Sequence, residues 1–528
     1  MGKKTNIFIF GTYNCTCIRN SRNYSSTITV INMKEDAGGK PQRRKAYFFQ
    51  FMSILPGYIL MIDVGAVSAW PSPALPYLIS EKSEFPVSVE ESSWLPSVIN
   101  ISALFGSIPV PMLINRIGRK YTLLVLGLLQ LISWILVNLS YNYTILLIAR
   151  LYAGFCIGGT FGMLPIYIGE ISEKNIRGSF LSLDKIFMNG GVFVINALGA
   201  YLTYKNMNLI MMSVPMTAIC MFPLISETPY FYLLKGRDEE AINTLMKLSG
   251  VKNQEMVMED IKRMKEAIIE SRKSKNSSLR EIFIDKGSRR AVIIISITKI
   301  IYVFTGQVAI QSYTQEIFSY SGSSITPGHA AMILTGVQIF AGLPAFRLSD
   351  KWGRKPIYLF SGFTTALGLG IVGLFFFLKL FLKYDVSNIT WMPLVFLVLT
   401  QFSCNVGLST MPFIYSGELL SVKVKGVATI LTSIVGTLSS FSVKMLLPFL
   451  NMTVGIYTSF FVFSGACIIG PIILVSIVPE TKGKNLEEVS KLFKHSKRNN
   501  CFLAEQAQHI CPQSGSKIAL YCTATPDT

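Results

Sequence analysis

One short motif occurs twice in the chain, each time between two apolar runs of helix length. The first copy is Asn-Arg-Ile-Gly-Arg-Lys at 115–120, and the second is Asp-Lys-Trp-Gly-Arg-Lys at 350–355. A loop motif that recurs between membrane-length apolar runs is typical of a chain built from two related membrane halves. The repeat therefore predicts a membrane protein with two similar helical bundles.

The apolar runs predict the number of membrane crossings. Half of the residues are hydrophobic, only 15% are charged and the mean hydropathy is +0.45, a composition that fits lipid better than water. A crossing needs about 20 apolar residues. Twelve such spans are predicted, at 48–69, 94–114, 121–139, 144–168, 180–203, 208–226, 290–313, 329–346, 356–380, 391–416, 427–450 and 455–478. The predicted fold class is an all-α polytopic membrane protein of two pseudo-symmetric six-helix bundles.

The domain boundaries follow from these spans. The linker between the bundles has apolar residues at helical spacing from Asp238 to about Ser274, which predicts short amphipathic helices. The predicted domains are a disordered cytoplasmic tail at 1–45, the first bundle at 46–226, a cytoplasmic linker at 227–289, the second bundle at 290–480 and a cytoplasmic tail at 481–528.

The distribution of Lys and Arg predicts which side faces the cytoplasm. The loops after spans two, four, eight and ten are basic, whereas the first loop on the other side is acidic. Because cytoplasmic loops carry the excess of Lys and Arg, we expect a plasma-membrane protein with both termini in the cytoplasm. Three Asn-x-Thr triplets, at Asn142, Asn388 and Asn451, then fall in outside loops as predicted glycosylation sites.

Charge and cysteine content exclude several function classes. The net charge of +19 is explained by this sidedness and by contact with the anionic headgroups of the lipid bilayer, so no nucleic-acid partner is expected. The nine cysteines and three histidines show neither metal-ligand spacing nor a nucleophile arrangement. We therefore predict no metal, no cofactor and no enzymatic activity, and we take a monomer as the default functional unit while the oligomeric state stays open.

Five motifs follow one another along the chain, and the first of them belongs to the first copy of the repeat. They are Arg-Ile-Gly-Arg-Lys at 116–120, Pro165–Glu170 followed by Arg177 and Gly178, Glu227–Phe231, Tyr415–Glu418 followed by Lys425 and Gly426, and Pro479–Glu488. Together they resemble the signature set of the sugar porter family of the major facilitator superfamily. The segment Trp-Pro-Ser-Pro-Ala-Leu-Pro at 70–76 is similar to the insect facilitated trehalose and glucose transporters. The resemblance implies sugar transport by alternating access.

The charged residues of these motifs predict a gate. Ion pairs between helix ends at the cytoplasmic mouth would hold the outward-open state and break when the halves rock. The alternative is that these residues are solvated loop charges that only set the topology. The predicted gate residues are Arg116, Arg119, Arg150, Glu170, Arg177, Glu227, Asp350, Arg354, Glu418 and Glu480.

A sugar site is expected near the bilayer midplane, where the halves meet. Sugar hydroxyls suit uncharged amides, which donate and accept, together with aromatic rings. Gln307, Gln311 and Gln315 share one helix face of span seven by their spacing. The alternative is that these amides only bond neighbouring helices. The predicted substrate-binding residues are Gln307, Gln311, Gln338, Lys185, Tyr302, Asn405 and Phe413.

The resemblance weakens at the substrate site. The register of the family places its span-seven glutamine pair on Tyr302 and Val303 and its span-five glutamine on Lys185, and of its amides only Gln338 is kept. Lys185 either extends to the cytoplasmic surface or faces the cavity, where it would favour an anionic substrate.

Span one bears on energy coupling. Its only acidic residue is Asp63, and the aspartate typical of proton-coupled sugar porters falls on Val67. We therefore predict facilitative uniport of a neutral sugar such as trehalose or a hexose. The alternatives are a proton symporter in which Asp63 and Arg150 form a relay, a carrier of another polyol or of a sugar-like anion, and a nutrient sensor that does not transport.

Overall fold

The structure is a computed structural model of the chain, and it describes residues 40–251, 253–274, 284–341, 352–420 and 424–478. Within these ranges every regular element is helical. Most of the two predicted tails lies outside the described residues, and so do the predicted gate residues Asp350 and Glu480. One boundary is corrected, because the first helix begins at Lys40, inside the segment predicted as a disordered tail.

The first half contains eight helices that coincide with the first six predicted spans. Span one is continued by a second helix that begins at Pro71, and span two is broken where Pro109 precedes a new helix. The helices are α1 (Lys40–Ala69), α2 (Pro71–Ile79), α3 (Val89–Ser107), α4 (Val110–Ile117), α5 (Arg119–Asn138), α6 (Tyr143–Ile171), α7 (Lys174–Tyr201) and α8 (Tyr204–Cys220).

The predicted amphipathic linker helices are present. They pack on one another through a small apolar core that includes Leu233, Ile242 and Ile261. Three acidic residues occupy the first turn of the middle helix and Lys247 its last turn, which is the charge order that the helix dipole favours. The linker helices are α9 (Pro229–Leu234), α10 (Asp238–Ser249) and α11 (Glu255–Ser274).

The second half repeats the six spans with different breaks. Span seven is interrupted at Gly306, whose backbone is left-handed with φ of 76°, and span ten is interrupted between Val406 and Met411. The helices are α12 (Lys286–Phe304), α13 (Gln307–Ser312), α14 (Thr314–Ser321), α15 (Pro327–Ala341), α16 (Arg354–Phe376), α17 (Met392–Val406), α18 (Met411–Glu418), α19 (Lys425–Thr453) and α20 (Ile456–Ile477).

Nine helical segments of the described ranges are long and apolar enough to cross a membrane, and there are ten if α3 and α4, which are bent by 43°, form one broken span. The two remaining predicted spans coincide with the interrupted pair α12 and α13 and with α15. All twelve predicted spans therefore coincide with helices, and the predicted fold class is confirmed.

Small residues bring helices together inside each half. An added Cβ at Gly158 of α6 would lie 1.9 Å from the backbone oxygen of Ala103 in α3, so only glycine permits this approach. Close packing of this kind holds membrane helices together, because burial from lipid supplies little driving force. Between the halves, α3 packs on α19 and α7 packs on α15.

Candidate substrate pathway and charged clusters

A buried ion pair joins two helix ends in the first half. Arg119, at the start of α5, donates from Nη2 to Oε1 of Glu170 near the end of α6 over 2.7 Å, and the Arg119 side chain is only 4% exposed. The second carboxylate oxygen of Glu170 accepts from the Thr228 hydroxyl at 2.6 Å. Glu170 therefore connects α5, α6 and the start of the linker.

Glu227 completes this cluster by capping α5. Its carboxylate accepts from the backbone N–H groups of Arg119 at 2.9 Å, Lys120 at 3.1 Å and Thr228 at 2.9 Å. Helix N-termini have unpaired N–H groups and attract negative charge. Burial raises the pKa of the Glu227 carboxyl, and the three N–H donors act against that rise. An added Cβ at Gly118 would lie 2.2 Å from Glu227 Oε2, so the cap requires glycine there.

The second half contains the matching ion pair. Arg354, at the start of α16, donates from Nη2 to Oε1 of Glu418 at 2.8 Å and from Nε to the same oxygen at 3.2 Å. The glycine before each arginine, Gly118 or Gly353, has φ of 93°. The repeated motif thus forms the same turn twice, and each turn directs its arginine toward a glutamate of its own half.

Two other predicted gate residues are in different surroundings. Arg116 is exposed at the end of α4, and Arg177 donates to the backbone oxygen of Ser172 at 3.2 Å. Neither forms an ion pair among the described residues, so their membership of a gate stays a prediction.

The predicted cytoplasmic position of Arg150 is wrong. Arg150 and Glu170 are on one helix, and at 1.5 Å per residue they lie about 30 Å apart along its axis. Arg150 is 1% exposed, its Nη2 donates to the backbone oxygen of Val67 at 2.8 Å and its guanidinium lies 4.5 Å from the Trp70 ring. Arg150 therefore belongs to the outer part of the first half, because α6 begins on the predicted outer side.

The predicted amides lie where helices meet, with two partners that the sequence did not suggest. The Gln307 side chain donates to that of Gln401 in α17, and Asn405 donates to the backbone oxygen of Gln401 at 2.9 Å. Asn189 of α7 donates to the backbone oxygen of Gln338 in α15 at 3.2 Å, which links the halves. Gln401 and Asn405 are four residues apart and share one face of α17, and this spacing is the sequence signal that would have identified Gln401.

The other predicted ligands are placed less decisively. Gln311 is half-buried on α13. Gln315 is buried, and its amide nitrogen has no hydrogen-bond partner among the described residues. The Phe413 ring is 73% exposed and lies on the side of α18 opposite Met411 and Tyr415, which are buried. Substrate contacts of Gln311 and Phe413 stay a prediction.

Lys185 faces the second half. Its Nζ donates to the hydroxyl of Ser409 at 2.9 Å, and Ser409 lies in the interruption between α17 and α18. Tyr302 of α12 lies beside Ser409. The alternative in which Lys185 extends to the cytoplasmic surface is therefore wrong for this structure, and Lys185 and Tyr302 both lie beside Ser409 between the halves.

Asp63 faces the interior of the first half. The indole Nε1 of Trp134 donates to Asp63 Oδ1 at 2.5 Å, and the aspartate is 1% exposed. Arg150 contacts Val67 and Trp70 instead. The relay of Asp63 with Arg150 that the symport alternative requires is absent from the described contacts.

The predicted glycosylation sites lie at helix ends. Asn142 is exposed and caps α6 by accepting from the N–H of Ile145 at 2.9 Å, and Asn388 is exposed in a short turn before α17. Asn451 is half-buried, with its amide 3.5 Å from Glu316 Oε1. Glycosylation at these three positions stays a prediction.

A helical membrane protein of two matched halves, with amides and basic side chains between them, has the organisation of a major facilitator transporter. The chain belongs to the sugar (and other) transporter family, whose sequence model matches residues 25–493. It is therefore a multi-pass sugar transporter of this superfamily and not an enzyme.

Individual relatives and structures support this assignment. The chain is 29% identical to the facilitated trehalose transporter Tret1 of Apis mellifera ligustica over 449 residues, which cover 85% of this chain and 88% of that protein. It is 29% identical to a Tret1-2 homolog of Drosophila simulans, over 84% and 91% of the two chains. The inward-open structure of the xylose transporter XylE from E. coli is 18% identical, with a TM-score of 0.69 over 85% of this chain and 99% of XylE, and shares the fold.

Proposed function

We propose that this sugar transporter is a plasma-membrane uniporter of a neutral sugar, trehalose or a hexose. Its two halves would rock about a site between α7, α12, α13, α15 and α17. The observation that carries the proposal is the meeting of uncharged polar groups from both halves, with the Asn189 side chain donating to the backbone oxygen of Gln338. Relatives named as facilitated trehalose transporters support a sugar of this kind.

The amides are the proposed ligands of the sugar hydroxyls. Gln307 donates to Gln401, and each amide retains capacity for a ligand, since a side-chain amide has two donors and two acceptor positions. Gln311 and Gln338 would add amides from α13 and α15, and Tyr302 an aromatic face. Asn405 would hold Gln401 in place from the next turn of α17.

The proposed uniport rests on the position of Asp63. A coupling carboxylate must exchange protons with the pathway, and the Asp63 carboxylate is directed at Trp134 inside the first half. No other carboxylate is present in the described residues of α1 and α2. The pathway side of span one therefore has no acid to couple sugar movement to a proton.

The charged clusters are the proposed cytoplasmic gate. Arg119 with Glu170 and Glu227, and Arg354 with Glu418, fix the helix ends of each half as rigid units. We propose that these same charges face each other across the mouth when the transporter is outward-open, which would stabilise that state through contacts that the inward-open state lacks.

The test is transport by the full chain in proteoliposomes. Saturable counterflow of labelled trehalose or glucose is the expected result. Net uptake into vesicles should stop when the internal sugar concentration equals the external one. Equal initial rates at acidic and neutral external pH are expected for uniport. Uphill accumulation that collapses with a protonophore would reject uniport, and absence of counterflow for every neutral sugar by folded protein would reject the proposed substrate.

A further inference from the structure

Four basic side chains lie inside the spanning helices with only neutral partners. They are Arg150, Lys185, Lys299 and Lys444, and none forms an ion pair within the described ranges. Basic residues at membrane depth are rare, and they usually mark a route for a substrate or an ion. Such a set is unexpected for a pathway that takes only uncharged sugars.

Two of these residues form an inner pair. Lys185 donates to Ser409 at 2.9 Å, and Tyr302 lies beside the same serine. Lys299 lies one turn before Tyr302 on α12, and its Nζ donates to the hydroxyls of Thr432 and Ser433 in α19 at 3.1 Å each. The two lysines come from opposite halves, and Tyr302 lies one helical turn from Lys299 and beside the serine that Lys185 contacts.

The space for Lys299 is created by a glycine. An added Cβ at Gly436 would lie 3.3 Å from Lys299 Cδ. Position 436 has no side chain, and a lysine from α12 occupies the space beside it.

The other two residues form an outer pair. Lys444 of α19 is 6% exposed, and its Nζ donates to the backbone oxygen of Pro96 in α3 at 3.2 Å, across the halves. Arg150 is close enough to Lys444 for the two positive charges to repel each other. A basic side chain therefore lies at each of two contacts between the halves, Lys185 of α7 at Ser409 and Lys444 of α19 at Pro96.

The nearby carboxylates do not neutralise these charges. Asp63 accepts from Trp134 inside the first half, Asp184 lies beside Tyr58, and Glu316 lies beside Asn451. Among the described residues none of the three forms an ion pair with a basic side chain. Lys185 consequently has no carboxylate partner within the described ranges.

We propose that the pathway also takes an acidic sugar, a hexose that carries one carboxylate, and that Lys185 anchors the carboxylate. The Lys185 ammonium, the Tyr302 phenol and the Ser409 hydroxyl provide three donors at one place, which suits a carboxylate because it only accepts. The amides on α13, α15 and α17 would bind the hydroxyls, as they do in the proposed neutral-sugar function, on whose alternating-access transport this inference rests.

The experiment is counterflow in proteoliposomes of the full chain, with labelled D-glucuronate, D-glucose, trehalose and lactate measured separately. We expect glucuronate counterflow, and we expect unlabelled glucuronate to compete with the neutral sugar. Lys185→Gln should lower the ratio of glucuronate counterflow to glucose counterflow about tenfold, which is about 1.4 kcal/mol. Lys185→Arg should keep glucuronate counterflow. Lys247→Gln, which removes an exposed lysine of the linker, is the matched control.

The outcomes separate the two proposals. If neutral sugar moves but glucuronate neither moves nor competes, the acidic-sugar inference is rejected and the proposed function stands. If glucuronate moves and no neutral sugar does, the proposed substrate is rejected and the inference stands. Lactate moving as fast as glucuronate, or an unchanged ratio of glucuronate to glucose counterflow in Lys185→Gln, also rejects the inference. If nothing moves although the protein elutes as a folded species, both are rejected.

Discussion

Removing Glu170 tests whether the buried charge cluster holds the first half together. Glu170→Ala deletes the 2.7 Å ion pair with Arg119 and the 2.6 Å hydrogen bond from Thr228. The Arg119 guanidinium, 4% exposed, would keep one hydrogen bond, to the backbone oxygen of Ile114 at 3.4 Å, beside the Tyr230 and Phe231 rings. Breaking a buried pair by removing one partner costs about 3 to 5 kcal/mol. Because Glu170 itself is 16% exposed, we expect a loss near the lower end, about 3 kcal/mol.

Two companion variants show whether the charge or the shape matters. Glu170→Gln keeps an acceptor for Arg119 and a group of similar size, so its expected cost is about 1 to 2 kcal/mol. Glu173→Ala removes an exposed glutamate that caps no helix through its side chain, and its expected effect is within about 0.5 kcal/mol.

The assay is equilibrium unfolding of the purified protein in mixed micelles, with denaturing detergent as the variable and tryptophan fluorescence as the signal. The expected order of unfolding free energies is wild type and Glu173→Ala, then Glu170→Gln, then Glu170→Ala. If Glu170→Ala unfolds at the same detergent fraction as Glu173→Ala, the argument that the cluster stabilises the half is refuted, and Glu170 is left as a topology signal.

Three further predictions concern the cap, the ligands and the gate. The pKa of Glu227 is raised in the folded state, so its contribution to stability is present below the usual glutamate value of about 4.3 and is lost as pH rises through the raised value. Glu227→Gln should therefore flatten the pH dependence of the unfolding midpoint across that window. The same dependence of the midpoint on pH in the variant and the wild type would contradict this. Gln311→Ala should weaken sugar binding by about 1 to 3 kcal/mol, because it leaves a hydroxyl unpaired, and an unaltered half-saturation constant removes Gln311 from the site. Arg354→Ala should favour the inward-open state, so a cysteine in the inner cavity should be labelled faster from the cytoplasmic side, and identical labelling with normal transport leaves Arg354 outside the gate.

Hydrophobic runs were sufficient to predict where the spans lie but not where they break. Length and apolar content predict a crossing, and all twelve predicted runs coincide with helices. Breaks depend on single residues and on tertiary contacts. Gly306 ends α12 with a left-handed backbone, and nothing in the apolar pattern of span seven indicates that a new helix begins there. The Gln307 side chain is next to this break, so its contact with Gln401 was not predictable from a continuous helix face.

The charged residues show which side-chain positions could be predicted from the sequence. The Gly-Arg-Lys repeat predicted two similar bundles, and the structure forms the same turn in each, because both glycines have φ of 93°. The cytoplasmic position predicted for Arg150 is wrong because Arg150 and Glu170 lie near opposite ends of α6, about 30 Å apart along its axis. Lys185 was left with two orientations, since spacing along one helix cannot tell which half its side chain faces. The contact with Ser409, more than 200 residues later in the chain, shows that the Lys185 side chain faces the second half.

The two halves share their turns but not their buried basic residues, and this difference bears on substrate rather than folding. Counting from the paired Glu170 and Glu418, whose motifs continue to Arg177-Gly178 and Lys425-Gly426 at the same spacing, Lys185 corresponds to Ser433 and Arg150 to Val398. A feature kept in both copies serves the architecture that both copies share. A lysine present in one copy, at a cost to membrane insertion, requires a separate cause, and a ligand that passes between the halves is such a cause.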